Sequence, residues 1–180
     1  MAGKTRVLCG LDQLDTADKP LKGRRVGLMT NPTGIDRRFR SAIDIISERY
    51  RLTALFGCEH GIRGAHQAGD AVSSYIDEET GVMAYSLYGG NLRMTPNMLD
   101  AFDVLVYDIQ DVGARFFTYI YSLSYAMEAC ACASKAMVVL DRINPLGGEH
   151  VQGTVLDEKF HSFVGEYALP TRYGDRKSVV

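Results

Sequence analysis

The sequence predicts an α/β fold in which a mostly parallel sheet carries helices on both faces. The first observation behind this prediction is that short apolar runs alternate along the chain with segments of helical character. Strands that alternate with helices form crossover units, and such units build parallel sheets covered on both sides. The second observation is the length of 180 residues, which suits one domain of this class with a substantial core.

The first half of the chain supplies two strands and a helix. The run RRVGLMTN (residues 24–31) has an apolar centre and a following NPTG turn, which indicates a buried strand. Apolar residues then recur at spacings of three and four between Phe39 and Tyr50, which predicts an amphipathic helix over 39–49. A second strand is predicted at 52–59. The long polar loop 60–80 that follows it is typical of functional loops.

The second half continues the same alternation. A short strand is predicted at 82–89, and Thr95 and Pro96 can cap and start a short helix over 96–101. The run DVLVYDIQD (103–111) is the clearest buried strand, and the segment 114–135 is long enough for a helix. The run AMVVLDRINP (136–145) predicts a last strand that stops at a proline.

The composition excludes two classes of partner. No apolar run approaches the roughly 20 residues that cross a bilayer. The net charge is −2 with dispersed basic residues, so the chain lacks the basic stripe that nucleic-acid binding requires. We therefore expect neither a membrane nor a nucleic-acid partner, and the sequence does not indicate an oligomeric state. Without a signal-peptide stretch or a disulfide pattern among the four cysteines, the chain as written predicts a cytoplasmic, reduced protein.

Every predicted strand ends in polar residues. In open α/β sheets, ligands bind outside the carboxyl ends of the strands, so these five endings would converge on one crevice. The polar residues at the endings are Thr30 and Asn31; Glu59 and His60; Tyr85, Ser86 and Tyr88; Asp108, Gln110 and Asp111; and Asp141, Arg142 and Asn144.

Structural roles compete with ligand contact at each of these positions. Asn31 can start a turn, and Asp108 and Asp111 can cap the following helix. Asp141 and Arg142 can pair with each other or with neighbouring charges. The tyrosines favour packing over stacking on a sugar, and these are Tyr85, Tyr88, Tyr119 and Tyr121.

Glu59 is the strongest candidate for chemistry. A carboxylate directly after a buried strand must be paired or kept neutral, and both outcomes are chemically useful. The alternative to a chemical role is a structural one, in which Glu59 forms an ion pair with Arg63 or another arginine.

Several familiar motifs are absent from the sequence. There is no glycine-rich dinucleotide motif, no phosphate-binding P-loop and no GxSxG elbow. The histidines lack zinc spacing, so no cofactor is expected. A magnesium site built on Asp108 and Asp111 stays open as an alternative.

The motifs taken together resemble a bacterial family, the NamZ-like exo-β-N-acetylmuramidases, formerly a domain of unknown function. The resemblance covers residues 7–174 and is carried by GLMTNPTG, LFGCEHGIRG, YSLYG, DVLVYDIQDVGARFFTYIYSL, VVLDRINPLGG and SFVGEYALPTRYG in this order. The combination of FGxEHGxRG with DxQDxGxRxxTY is specific. The chain departs from the family pattern at Pro32, Cys58, Ile143 and Tyr173, where the family usually has histidine, proline, proline and histidine.

The resemblance implies a Rossmann-like N-terminal domain, here residues 1–180, that precedes a smaller C-terminal domain. Residues 150–180 are then expected to be a loop-rich tail, and the chain an N-terminal fragment or a truncated copy. The implied activity is release of N-acetylmuramic acid from the non-reducing ends of peptidoglycan fragments, in cell-wall turnover and recycling. A truncated chain can bind weakly or lack activity, and export of many relatives is also implied.

The resemblance and the strand ends together suggest roles for individual residues. Glu59 matches the proposed catalytic glutamate of the family, and Asp108 or Asp111 could act as a base for water or orient the acetamido group of the substrate. Arg63 and Arg115 are the candidates for binding the lactyl carboxylate of muramic acid. Further sugar contacts are expected from Asn31, His60, Gln110, Tyr119 and Asn144.

Two other functions compete with this one. A carbohydrate-binding module without catalysis fits the short chain, and it would bind a muropeptide or muramic-acid saccharide without releasing a product. A magnesium-dependent hydrolase that uses Asp108 and Asp111 would lose activity to a chelator.

Overall fold

A six-stranded sheet forms the centre of the protein in a computed structural model that describes residues 7–64, 74–89 and 92–174. The strand order is β3-β4-β2-β1-β5-β6, and every neighbouring pair is parallel except β3 and β4. The strands are β1 (Arg25–Thr30), β2 (Arg51–Gly57), β3 (Tyr75–Ile76), β4 (Met83–Ser86), β5 (Val104–Asp108) and β6 (Ala136–Val139).

Helices cover both faces of this sheet. The helices are α1 (Asp18–Leu21), α2 (Ala42–Arg49), α3 (Pro96–Asp100) and α4 (Tyr119–Cys132), and a 3-10 helix (Gly10–Ala17) precedes α1. The predicted α/β three-layer fold with a mostly parallel sheet is therefore confirmed. Among the described residues, no helix has the length and apolar character that crossing a bilayer demands.

The two cores follow from the alternation of side chains along each strand. In β1, Val26 and Leu28 point to the face covered by α2, where the isoleucines of that helix pack. Met29, the next residue of β1, points to the other face, where α3 and α4 pack. Both faces are apolar, so the central strands are buried on both sides, as parallel sheets require.

Local sequence explains the start of the two helices that flank the central strands. The Ser41 hydroxyl accepts the backbone N–H of Ile43 at 3.0 Å and caps α2. Thr95 caps α3 in the same way, and Pro96 occupies the first helical turn.

A second, two-stranded sheet follows the main one. It pairs β7 (Gln152–Val155) with β8 (Pro170–Arg172), and a short 3-10 helix (Glu158–Phe160) lies between them. Tyr173, directly after β8, packs with Ile120, Tyr121 and Tyr125 of α4. The described part of residues 150–180 therefore contains a small sheet in addition to the expected loops, and residues outside its strands pack against α4.

Several predicted boundaries were wrong. The helix predicted over 114–135 begins at Tyr119, because residues 114 and 115 pair with β8 through the Ala114–Arg172 bridge. The helix predicted from Phe39 begins at Ala42, since Phe39 has a positive φ of 63°. The last strand ends at Val139 rather than at 145, and β3 lies inside the interval 60–80 predicted as loop. Residues 65–73 of that interval lie outside the described residues.

Candidate functional site

Glu59 lies in a tight turn at the carboxyl end of β2. The Gly61 N–H donates to the Cys58 carbonyl at 3.0 Å, which closes the turn, and His60 occupies its third position with a φ of 70°. A left-handed backbone at a residue other than glycine costs about 1–3 kcal/mol and concentrates at functional sites. The turn therefore holds the Glu59 and His60 side chains at the edge of the sheet at a cost in stability.

Tyr88 is the hydrogen-bond partner of Glu59. Its phenol O–H donates to Oε1 of Glu59 at 3.2 Å, from the loop that follows β4. Both residues are partly exposed. The sequence favoured packing for Tyr88, and the structure instead places its hydroxyl at the candidate catalytic group.

Asn31 and Tyr119 lie beside this pair. The Asn31 side chain is buried and hydrogen-bonds the Tyr119 phenol at the start of α4. Burial raises the pKa of Tyr119, although the bond to Asn31 acts in the opposite direction, so the phenol is neutral at physiological pH. Asn31 also accepts the backbone N–H of Thr33 at 2.9 Å. The residue therefore forms the expected turn and also lies at the candidate site.

Cys58 does not add a nucleophile to the site. Burial raises the pKa of its thiol to about 12, and its side chain contacts Ser122 of α4. A thiol with such a pKa is neutral at physiological pH and reacts poorly.

Arg63 pairs with acids other than Glu59. Its Nε donates to Oδ1 of Asp77 at 2.7 Å and one terminal nitrogen donates to Oδ2 at 2.9 Å, while Nη1 lies 3.0 Å from Glu79. The structural alternative of a Glu59–Arg63 ion pair is therefore wrong. The bidentate face that was expected to bind a lactyl carboxylate is occupied by Asp77, because β3 brings that residue to the loop.

Asp108 forms a buried ion pair with Arg142. The Asp108 side chain is fully buried and accepts from Nε of Arg142 at 2.6 Å and from Nη2 at 2.8 Å. Arg142 also donates to the Ile35 carbonyl at 3.1 Å. The predicted pairing with a neighbouring charge is confirmed for Arg142, whose guanidinium binds Asp108. The alternative Asp141–Arg142 ion pair is not formed, and Asp141 instead accepts the backbone N–H of Arg142 at 2.9 Å.

Asp111 lies under the tail of the chain. Oδ2 accepts the Tyr173 hydroxyl and the Gly113 N–H at 3.1 Å, and the side chain is 7% exposed. Oδ1 is buried and has no hydrogen-bond partner within residues 7–64, 74–89 and 92–174. Neither Asp108 nor Asp111 caps α4, whose N-cap residue is Thr118.

The remaining predicted residues border the same edge. The Gln110 amide nitrogen donates to the carbonyls of Asp111 and Ile143, so this end of the side chain is committed to the backbone. Asn144 accepts the Leu146 N–H at 3.0 Å. The Nε atom of Arg115 is buried without a hydrogen-bond partner in the described part of the chain, unlike the guanidinium of Arg63.

The predicted residues therefore form two groups. Asn31, His60, Glu59 and Tyr119 gather around the ends of β1 and β2, whereas Gln110, Asp111, Arg115 and Asn144 border the tail. Thr33 joins them, because Asn31 accepts its N–H and its hydroxyl accepts the Gln110 N–H at 2.9 Å.

A cleft at the end of β6 does not include Glu59. It measures about 890 Å³ and lies between the N-terminal segment and the end of β6, where Asn144 and Arg142 are among the lining residues. Glu59 is absent from its walls. The contacts of the side chains, rather than the size of a cavity, identify the candidate site.

A metal site at the aspartates is disfavoured by the donor set. The guanidinium of Arg142 covers both oxygens of Asp108, and a cation there would be repelled. Within the described ranges, no three His, Cys, Asp or Glu side chains lie close enough to share an ion.

Sequence reasoning missed four contributors to the site: Thr33, Asp77, Tyr88 and Tyr173 as hydrogen-bond partners. The sequence contained a signal for Tyr88. Tyr88 and Glu59 stand at the ends of the predicted strands 82–89 and 52–59, and parallel pairing of these strands places the two residues opposite each other. No comparable signal existed for Asp77, whose strand was not predicted.

Comparison with known proteins agrees with the fold. A family model described as the N-terminal part of the exo-beta-N-acetylmuramidase NamZ matches residues 26–175. The chain is 52% identical over 176 residues to the peptidoglycan beta-N-acetylmuramidase NamZ of Bacillus subtilis (strain 168). That similarity covers 96% of this chain and 42% of the relative.

Two crystal structures of DUF1343 family proteins from Bacteroides fragilis NCTC 9343 share the fold. The first has a TM-score of 0.87 and 45% identity, and the match covers 97% of this chain and 44% of that protein. The second has a TM-score of 0.83 and 34% identity, with 96% and 45% covered. The chain thus spans less than half the length of each of these relatives.

Proposed function

The chain belongs to the NamZ exo-β-N-acetylmuramidase family of peptidoglycan glycosidases, and from that premise we propose that it releases N-acetylmuramic acid from the non-reducing ends of peptidoglycan fragments. The observation that carries this function is the position of Glu59. Its carboxyl group projects from a strained turn at the carboxyl end of a parallel strand, next to Tyr88 and near the Asn31–Tyr119 pair. Ligands of open α/β sheets bind at this edge.

Hydrolysis of a glycosidic bond requires two catalytic roles at the site. Breaking a glycosidic bond requires a proton for the departing oxygen, and a water molecule must add to the anomeric carbon of the oxocarbenium-like transition state. We assign the first role to Glu59, which would give its proton to the leaving oxygen. A base or the acetamido group of the sugar would then assist the attack at the anomeric carbon.

Of the two aspartates, Asp111 suits the second role better. Both oxygens of Asp108 are bonded to Arg142, so Asp108 serves to hold the loop after β6 against β5. Asp111 keeps one oxygen without a partner among the described residues. That oxygen could accept an acetamido N–H or a proton from water once the Tyr173 segment moves aside.

Arg115 is the proposed ligand for the lactyl carboxylate. Its backbone is fixed, because its N–H donates to the Thr171 carbonyl at 2.9 Å and its carbonyl accepts the Tyr121 hydroxyl. A guanidinium on a fixed backbone can form the two parallel hydrogen bonds that a planar carboxylate accepts. Asn31, His60, Tyr119 and Asn144 would supply further sugar contacts, while Gln110 mainly supports the backbone.

The test uses this chain and a completed chain, in which the remaining part of the B. subtilis relative follows it. Release of muramic acid from a chromogenic muramide is measured for the parent and for Glu59→Gln. Binding of N-acetylmuramic acid is titrated for both. Glu59→Gln keeps the size and shape of the side chain, so we expect binding to persist and release to fall at least 100-fold, because an acid catalyst contributes about 10²–10⁴-fold.

Each outcome of this test points to one function. Undiminished release by Glu59→Gln would remove Glu59 from the mechanism. Binding by the parent chain and by the completed chain, without release by either, would instead favour the non-catalytic carbohydrate-binding module. A loss of release in chelator would favour metal chemistry.

A further inference from the structure

We propose that Tyr88 is a positioning residue for Glu59, which fixes the carboxyl group so that Oε2 faces the glycosidic oxygen. This inference rests on the proposed function, because it assigns a partner to the same acid. The contact is the hydrogen bond of 3.2 Å from the Tyr88 hydroxyl to Oε1. With Oε1 occupied, Oε2 is the oxygen left to carry and deliver the proton.

The pairing of β2 with β4 explains why these two side chains meet. The register joins Leu55 to Ala84, Phe56 to Tyr85 and Gly57 to Ser86. Each partner therefore lies 29 positions further along the chain, and the hydrogen bond between Glu59 and Tyr88 spans the same 29 positions. Tyr88 thus follows the parallel register two residues beyond the last pair of the ladder.

Contacts of the neighbouring backbone extend this register past the strands. The Leu87 N–H donates to the Gly57 carbonyl at 2.8 Å, and the Leu87 side chain is buried in the core on the α3 and α4 face. Gly89, with a φ of 75°, turns the chain away directly after Tyr88. The backbone on both sides of the tyrosine is therefore defined, and the phenol reaches Glu59 from a fixed base.

A glutamate side chain needs such a partner to hold its carboxyl group in one orientation. The last torsion of its side chain joins an sp³ to an sp² carbon and is broad, so an unheld carboxyl group turns with little resistance. Proton transfer needs the donor and acceptor within hydrogen-bond reach, and misplacement by about 1 Å can cost about 100-fold in rate. The hydroxyl of Tyr88 supplies the constraint that the torsion itself lacks.

The test compares Tyr88→Phe with Tyr85→Phe. The first removes the hydroxyl and keeps the ring. The second is the matched control, because Tyr85 lies in β4 three residues before Tyr88 and its ring stacks on Phe56 at a centroid distance of 5.4 Å. Two readouts are used: the ¹³C resonance of the Glu59 carboxyl carbon, assigned with Glu59→Gln, and kcat and KM for muramide hydrolysis by the completed chain.

We expect Tyr88→Phe to shift the Glu59 carboxyl resonance and to lower kcat about 10- to 100-fold with KM changed less than about twofold. Tyr85→Phe should change neither. An unmoved resonance, or an unchanged kcat, in Tyr88→Phe overturns the positioning role. If Tyr88→Phe shifts the resonance but the parent protein hydrolyses no muramide, the proposed function is overturned. The contact between Tyr88 and Glu59 then still stands.

Discussion

At the scale of single residues, the polar strand ends were predictable, but most of their hydrogen-bond partners were not. Glu59 and Asp108 stand where apolar runs become polar, and their position at the ends of predicted buried strands marks them as needing a partner. The choice of partner depends on which strands are neighbours. Asp108 meets Arg142 because β5 lies next to β6, a contact between residues 34 positions apart that local pattern cannot specify.

The Asp108–Arg142 pair leads to a prediction on stability. Arg142→Met leaves the Asp108 charge buried without its partner, and breaking one side of a buried pair costs about 3–5 kcal/mol. We expect the free energy of unfolding, measured by urea denaturation, to fall by this amount. Adding Asp108→Leu should restore most of the loss, because the unpaired charge is then gone. A double variant no more stable than Arg142→Met would contradict this account.

At the scale of elements, the short strand β3 decides the role of Arg63. Two residues of strand, Tyr75 and Ile76, are too few for a sequence pattern to reveal, yet they bring Asp77 to the loop after β2. The hydrogen bonds from Arg63 hold the pKa of Asp77 below its ordinary value, against the opposing effect of burial. The loop that contains Glu59 and His60 is thereby tied to the edge of the sheet.

This tie should make stability depend on pH. A carboxyl group whose pKa is lowered by folding contributes stability above its unfolded pKa of about 3.9, and the contribution disappears as pH falls through the folded value. Asp77→Asn should cost about 1–3 kcal/mol at pH 7, and its difference from the parent should shrink steadily below about pH 5. Urea denaturation across this range measures it.

Glu79→Gln is the matched control for Asp77→Asn. Glu79 also pairs with Arg63, but its side chain is 67% exposed and water screens the interaction. We expect its effect to stay below about 1 kcal/mol at every pH. A constant difference between Asp77→Asn and the parent from pH 7 to pH 3 would refute the pH dependence.

The starts of the helices show a second limit at this scale. The sequence predicted α2, α3 and α4, but α4 starts five residues later than expected. The Arg115 N–H donates to the Thr171 carbonyl, so residues before α4 are drawn into contact with β8. Tertiary pairing of this kind overrides a helical pattern, and no local signal announces it.

At the scale of the whole molecule, the alternation of strands and helices was sufficient to predict the three layers. The covering of α4 by the tail was not predictable, because β7 is exposed along its length and carries no apolar alternation. Tyr173 ends this covering with a hydrogen bond to Asp111. Tyr173 thus contacts both Asp111, in the loop after β5, and α4, so the same residue stabilises the fold and the candidate site.

The Tyr173 contact can be tested through global stability. Tyr173→Phe leaves Oδ2 of the buried Asp111 with one donor fewer, which should cost about 1–3 kcal/mol in the free energy of unfolding. Tyr173→His, which introduces the residue usual in the family, retains an N–H donor and should cost less. Thermal or urea unfolding of both variants measures the difference. A Tyr173→Phe variant as stable as the parent would show that the ring, and not the donated hydrogen bond, supports the tail.

The register that joins β2 to β4 also sets which insertions and deletions the chain can tolerate. The contact between Glu59 and Tyr88 depends on each residue standing two places after a paired one, Gly57 and Ser86. Residues added or lost between Glu59 and the start of β4 change the separation of Glu59 and Tyr88 along the chain. They do not change the two-residue distance of each side chain from Gly57 or Ser86. A single residue gained between Gly57 and Glu59, or between Ser86 and Tyr88, would turn one side chain away from the other. Between these strands we therefore expect length variation only in the connection after Glu59, while the two dipeptides that follow the strands keep their length.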